Sequence, residues 1–381
     1  MSGFKRFTLN FTVLAGMLLG LPLIGVYLAG FPVERDLEFP PQTRYIVHAP
    51  FSWAAFTIFA LLITVVVLPL FIKGFKLRKK SLPKTSLSIS NRLPWWGWIG
   101  MVAGIFSWIL AWSRFSWFSA FQPHTFSPLW FSYILVVNAL CFRRTGHSLM
   151  TDRPGYFLLL FPASAAFWWF FEYLNRFVQN WYYLGVEFSP LSYFWYATLP
   201  FSTVLPAVLS TRQHLLSVSW IREGYGDFKS LEISHPRIIA VCLMLFSAAG
   251  LAAIGVWPNH LFPLLWVSPL LIIICLQTLM KQQNALSVVA AGDWRGAVSA
   301  ALSAVVCGMF WEMWNYFSLA KWEYSIPLVH RFVVFEMPFL GYAGYLPFGL
   351  ECLVIGHMIG QLFNENQSRL IFPLDRHRQI Q

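Results

Sequence analysis

Charge is what this sequence has least of. Only 11% of its 381 residues are Asp, Glu, Lys or Arg, where soluble domains carry about 25%. That scarcity excludes an ordinary soluble domain. Phosphate-cradling and nucleophile motifs are missing too: the chain has no GxGxxG turn, no P-loop and no GxSxG elbow. Its five cysteines, at 141, 242, 275, 307 and 352, lie in apolar runs and form no CxxC pair. A buried cysteine in such a setting acts as a small hydrophobe, so no zinc ribbon or dithiol redox motif is present. The histidines never reach the HxxxH or HxxH spacing of helical metal sites, and no metal site is expected. The sequence names no cofactor.

What remains is apolar. Hydrophobic residues make up 57% of the chain, and aromatic rings alone 18%. Apolar runs long enough to cross a bilayer, about 20 residues each, recur along its length. The expectation is an all-α integral membrane protein with about ten transmembrane helices, near 9–30, 51–72, 95–113, 126–142, 155–176, 191–211, 237–256, 261–280, 296–317 and 339–363. The first run follows a basic MSGFKR segment, but its length and poor cleavage site favour a retained anchor over a signal peptide.

The net charge of +11 does not point to nucleic acid, because the basic residues form no stripe. They sit between the apolar runs. With both termini cytoplasmic, 21 of the 27 Lys and Arg residues fall on the cytoplasmic side, as the positive-inside rule requires. A bacterial cytoplasmic (inner) membrane is the expected location. Membrane lipids and a hydrophobic small molecule are the expected partners.

The chain also repeats itself. His124 aligns with His260, and Phe171–Asn175 (FEYLN) with Trp311–Asn315 (WEMWN). Trp181 and Tyr183 align with Trp322 and Tyr324, Pro200 with Pro338, and Leu205-Pro206 with Leu346-Pro347. The offsets stay between 136 and 141 residues, in one order. Two parallel four-helix repeats are therefore expected, over 95–211 and 237–363. A helix pair and basic loop over 1–94 would precede them, and a cytoplasmic tail over 364–381 would follow. An even span count relates such copies by a pseudo-two-fold axis along the membrane normal.

Within each repeat an acid and an amide share a helix face: Glu172 with Asn175, and Glu312 with Asn315. A charged carboxylate inside a membrane costs at least about 2.5–3.5 kcal/mol on insertion scales, so both glutamates need a reason to be there. One reason is structural, a hydrogen-bonded tie between helices. The other is a site. In that case Glu312, Asn315 and Glu336, with Glu172 and Asn175 as the first-repeat counterparts, are the candidate catalytic groups. Trp311, Trp314, Tyr316, Trp168, Trp169, His124 and His260 are the candidate substrate-binding residues. Aromatic faces stabilise cations, so an acid among them suits protonation of an alkene. The second repeat is richer, with Glu336 and Glu351 where the first has Thr198 and Ser210. For Glu336 the structural alternative is a solvated charge beside Arg331.

The stretch FEMPFLGYAGYLPFGLE, Phe335–Glu351, with its echo over Glu172–Pro206, resembles the small membrane lycopene cyclases and related carotenoid-modifying proteins. The resemblance implies membrane carboxylates acting as acids on the ends of polyenes. The adjacent Pro-x-Glu-Glu type motif of that family is absent, and an uncharacterised polytopic family is the other match considered. Three functions stay open: an enzyme acting on a lipid or isoprenoid by acid–base chemistry, a proton-coupled transporter or flippase, and a scaffold without chemistry. Proline and glycine in the sixth and tenth spans keep the transporter open.

Overall fold

The structure is a computed structural model, and it describes residues 3–79, 92–231 and 233–363. Most of the basic loop, over 80–91, and the tail over 364–381 lie outside the described residues.

The protein is predominantly helical, with almost no sheet. Eleven helices carry the architecture: α1 Gly3–Leu28, α2 Trp53–Lys79, α3 Trp95–Trp112, α4 Phe126–Thr145, α5 Pro154–Arg176, α6 Pro190–Phe201, α7 Val204–Leu216, α8 Pro236–Ala253, α9 Leu264–Leu279, α10 Arg295–Tyr316 and α11 Tyr345–Gly360. Local chemistry sets several of the ends. Pro154, Pro190 and Pro236 occupy first-turn positions, where a missing N–H costs nothing. Gly146, in the left-handed region at φ 73°, ends α4.

Among the described residues, eight helices are long and apolar enough to cross a membrane. The other two expected spans differ. The run near 261–280 forms a helix of 16 residues. The expected span 191–211 is two helices, α6 and α7, broken at Ser202 and Thr203. Pro200 and Pro206 explain the break: neither has a backbone N–H to donate, and Thr203 turns back onto the Pro200 carbonyl with its hydroxyl at 2.6 Å and its N–H at 3.0 Å. The start of the tenth run is also irregular, a tight 3₁₀ segment over Phe339–Gly344 that leads into α11.

α5, α7, α10 and α11 form the centre, with α7 packed against both α5 and α10. Small residues set the closest contacts. A Cβ on Gly349 would lie 2.2 Å from the Ala300 carbonyl oxygen, so only glycine lets α11 lie this close to α10. α2 stands at the periphery, with none of its membrane-length stretch buried. It is tied near its two ends. The Ser52 N–H just before it donates to the Leu328 carbonyl at 2.9 Å, and the Tyr225 hydroxyl donates to the Leu70 carbonyl at 2.8 Å.

Two short strands form a ribbon. β1 (Trp181–Leu184) follows α5, and β2 (Lys321–Tyr324) follows α10. They pair antiparallel, Trp181 with Tyr324, Tyr182 with Glu323, Tyr183 with Trp322 and Leu184 with Lys321. The segment before α2 packs against the same region. Gln179 accepts the N–H groups of Tyr45 and Ile46, each at 3.0 Å. His48 bridges the Ser325 hydroxyl at 2.6 Å and the Val178 carbonyl at 2.8 Å. Asp36 is buried in that segment and bonded to Tyr45; burial raises its pKa, against the opposing pull of Tyr45 and Arg35.

Candidate functional site

Glu312, near the end of α10, is fully buried. Its Oε1 accepts two tyrosine hydroxyls, from Tyr324 on β2 and Tyr345 at the start of α11, each at 2.7 Å. Tyr324 in turn accepts the Trp322 indole N–H at 2.9 Å. The second carboxyl oxygen, Oε2, is buried and has no hydrogen-bond partner. Gly308 makes the Tyr345 contact possible: a Cβ there would lie 2.4 Å from the Tyr345 ring. Burial, with the Glu312 carboxylate beside it, holds the Tyr324 hydroxyl far above its usual pKa, so it stays a donor.

Glu172, on α5, is 6% exposed and more fully satisfied. Its Oε1 accepts the indole N–H of Trp168 at 3.0 Å and of Trp181 at 3.1 Å, and the Tyr183 hydroxyl at 2.5 Å. Burial and then the Glu172 charge push the Tyr183 hydroxyl far upward. Each glutamate is therefore bound by an aromatic donor from the strand that follows its own helix.

The asparagines do something else. Asn175 donates to the Trp181 carbonyl at 2.8 Å and accepts the Asn180 N–H at 2.8 Å. Asn315 donates to the Trp322 carbonyl at 2.7 Å and accepts the Trp322 N–H at 2.8 Å. Their amides are committed to holding β1 and β2 against the helices. Asn315, expected among the catalytic groups, holds in this way the strand that carries Tyr324. Glu336 pairs with Lys321 at 2.8 Å, and Lys321 also reaches Glu323 at 3.0 Å. The Arg331 guanidinium lies over Phe51, Trp53 and Phe332.

The tyrosines, more than the glutamates, face open space. A chamber of about 120 Å³ lies against the ribbon, and Tyr183, Tyr324 and Tyr345 line it together with Trp168, Trp311 and Lys321. A larger cleft of about 810 Å³ runs between α2 and the face built from α9, α10 and α11. The two share Trp181, Trp266, Tyr324, Met337, Gly341 and Gly344 as lining. Most of the remaining cleft wall is aliphatic or aromatic.

Of the ring residues expected at the site, Trp168 and Trp311 line the chamber, their rings 6.4 Å apart. The others do not line it. Trp314 packs on Trp130, their rings 5.2 Å apart. Trp169 donates to the Thr198 hydroxyl at 3.0 Å. Tyr316 packs on Phe317 and Phe335. His124 packs on the Tyr196 ring, which does line the chamber, and His260 is exposed. Among the described residues no group of three or more His, Cys, Asp or Glu side chains is placed to hold a metal.

Sequence reasoning missed Tyr345, Trp266, Tyr324 and Tyr183 as wall residues. The signal for the last two was present in the matched NWYY and KWEY segments, whose tyrosines align. No family model matches the chain, and neither a curated protein nor a solved structure matches it significantly.

Proposed function

We propose that the protein is a membrane enzyme acting on a lipid or isoprenoid by acid–base chemistry, with Glu312 as the proton-holding group. One observation carries this reading. Tyr324 and Tyr345 both donate to Glu312 and both line an aromatic chamber that shares six wall residues with a long apolar cleft. The cleft volume falls in the range of ligand sites, about 300–1,000 Å³, and its lining suits a prenyl or acyl chain. The reacting end of that chain would lie in the chamber. A proton exchanged with substrate at either tyrosine hydroxyl passes to or from Glu312 through one hydrogen bond. The faces of Trp168, Trp181 and Trp311 suit positive charge developing on the substrate. A polyene end, the substrate type implied by the lycopene cyclase resemblance, fits this arrangement.

The proposed architecture is two parallel repeats, 95–211 and 237–363, about a pseudo-two-fold axis along the membrane normal. The strand register supports it. Under the 141-residue offset Tyr182 corresponds to Glu323 and they pair with each other, while Trp181–Tyr324 and Tyr183–Trp322 exchange places. Ring contacts agree: Trp130 lies 5.0 Å from Trp311, and its counterpart Trp266 lies 5.2 Å from Phe171. The distribution of basic residues supports both termini being cytoplasmic in a bacterial inner membrane.

The test is the lipid extract of a deletion strain, complemented with wild type, Glu312→Gln or Tyr345→Phe. An accumulated precursor that wild type clears and Glu312→Gln does not supports the reading. An unchanged lipid profile in the deletion strain removes it. A second reading, a proton-coupled transporter or flippase, is favoured by the broken helices at the chamber, where Pro200, Gly341 and Gly344 contribute lining. Uptake or flipping by the purified protein, lost in Glu312→Gln while lipid structures stay unchanged, selects it.

A further inference from the structure

We propose that a second, separate site lies between α1, α5, α9 and α11, and that it takes an apolar molecule of about benzene size bearing one hydroxyl, bound at Glu351. A cavity of about 190 Å³ lies there, walled by Phe11, Leu14, Phe167, Phe171, Ile355 and their apolar neighbours. Glu351 is the only polar side chain among its described lining residues. The residue is fully buried. Its Oε1 accepts the Leu270 N–H at 3.1 Å, just after Pro269, which lies inside α9. That bond accounts for one oxygen. The other, Oε2, is buried with no hydrogen-bond partner.

An orphaned carboxyl oxygen on an apolar cavity wall calls for a partner. A water molecule is a poor one, because a buried water needs about 2–4 polar contacts and Oε2 supplies one. An apolar cavity of about 150 Å³ is known to bind benzene, so this one has room for a ring or a chain end. A hydroxyl is the complementary group. It donates to a carboxylate and accepts from a carboxylic acid, so it pairs with Glu351 in either protonation state. A phenolic ring or the alcohol end of a lipid both present this chemistry. None of the chamber tyrosines lines this cavity, so the site stands whether or not the reading of Glu312 holds.

The test uses the full chain in lipid nanodiscs and two probes, 4-fluorophenol and fluorobenzene, followed by fluorine NMR. Wild type should bind the phenol saturably and about tenfold more tightly than fluorobenzene, the worth of one buried hydrogen bond. Glu351→Leu should bind both equally. Glu351→Gln, whose amide keeps the Leu270 bond and still offers a polar group to the hydroxyl, should retain the preference. Ala163→Leu fills the cavity and should lose both probes, and it decides the matter if Glu351→Leu does not fold. No saturable phenol binding in wild type, a preference that survives Glu351→Leu, or binding that survives Ala163→Leu overturns the proposal. To tell the two sources apart, 1-octanol is added as competitor against the phenol. Displacement at matched concentration points to a lipid alcohol, and failure to displace points to a phenolic ring.

Discussion

Tyr182 and Glu323 face each other at the centre of the β1–β2 ribbon, and the tyrosine hydroxyl donates to Glu323 Oε2 at 3.2 Å. The two residues are 141 positions apart in the chain, so this contact ties together the segments that follow α5 and α10. Directly opposed residues in an antiparallel pair have Cβ atoms about 4.5–5.5 Å apart, close to disulfide geometry. The double variant Tyr182→Cys, Glu323→Cys, with Cys242 replaced, should cross-link on mild oxidation. After proteolysis between Tyr225 and His235, the halves should stay together on a non-reducing denaturing gel. Free migration of the halves would show that the ribbon does not form.

Glu312→Gln and Glu312→Leu should differ. The amide oxygen of Gln still accepts the Tyr324 and Tyr345 hydroxyls, so folded protein should remain near wild-type abundance while the proposed lipid conversion is lost. Leu leaves two buried hydroxyls without an acceptor, each costing about 1–3 kcal/mol, and should lower the thermal midpoint. A Gln variant with full conversion rules out proton exchange at this carboxyl.

Asn175→Ala and Asn315→Ala each remove an amide that holds a strand through its backbone. We expect a loss of about 1–3 kcal/mol at each site, read as a lower thermal midpoint, with any loss of activity following the loss of folded protein. Asn315→Asp keeps the acceptor for the Trp322 N–H and loses the donor, so it should fall between wild type and Ala. A folded Asn315→Ala protein devoid of activity would instead return Asn315 to the chemistry.

Gly308→Ala places a methyl group against the Tyr345 ring, where a Cβ would lie 2.4 Å from it. Overpacking of this kind costs about 1–3 kcal/mol. Tyr345 must shift, and its bond to Glu312 should lengthen or break. The expected result is a folded protein with the proposed conversion reduced to the level of Tyr345→Phe. Wild-type conversion in Gly308→Ala would show that the Tyr345 hydroxyl is dispensable.

His48 gives a pH dependence. Burial lowers its folded-state pKa below the usual value of 6.5, with the Val178 carbonyl acting in opposition. Below about pH 6.5 the unfolded chain therefore binds the extra proton first, and stability falls as pH drops through that value. Above it the contribution is complete. The thermal midpoint of wild type should decline between pH 7 and pH 5 more than that of His48→Gln. Equal slopes would show that His48 does not titrate between the two states.

The sequence by itself determined the class, because low charge and recurring apolar runs leave few other ways to satisfy 381 residues. It placed eight of the expected spans on long apolar helices, since the length of an apolar run is a local property of the sequence. It also singled out Glu172 and Glu312, because an acid in an apolar helix is costly enough to stand out. It did not determine what those acids touch. Tyr345 reaches Glu312 from 33 residues away through α11, and the approach depends on Gly308 and Gly349, whose role appears only when two helices are packed. Asn315 shares a helix face with Glu312, yet its amide is drawn to the Trp322 backbone, whose N–H and carbonyl it satisfies on the outer edge of β2. The division of 191–211 into α6 and α7, the chamber against the ribbon and the cavity at Glu351 were likewise decided by tertiary packing. Hydropathy reports how apolar a stretch is; only the packed bundle fixes which polar atoms meet and which one is left without a partner.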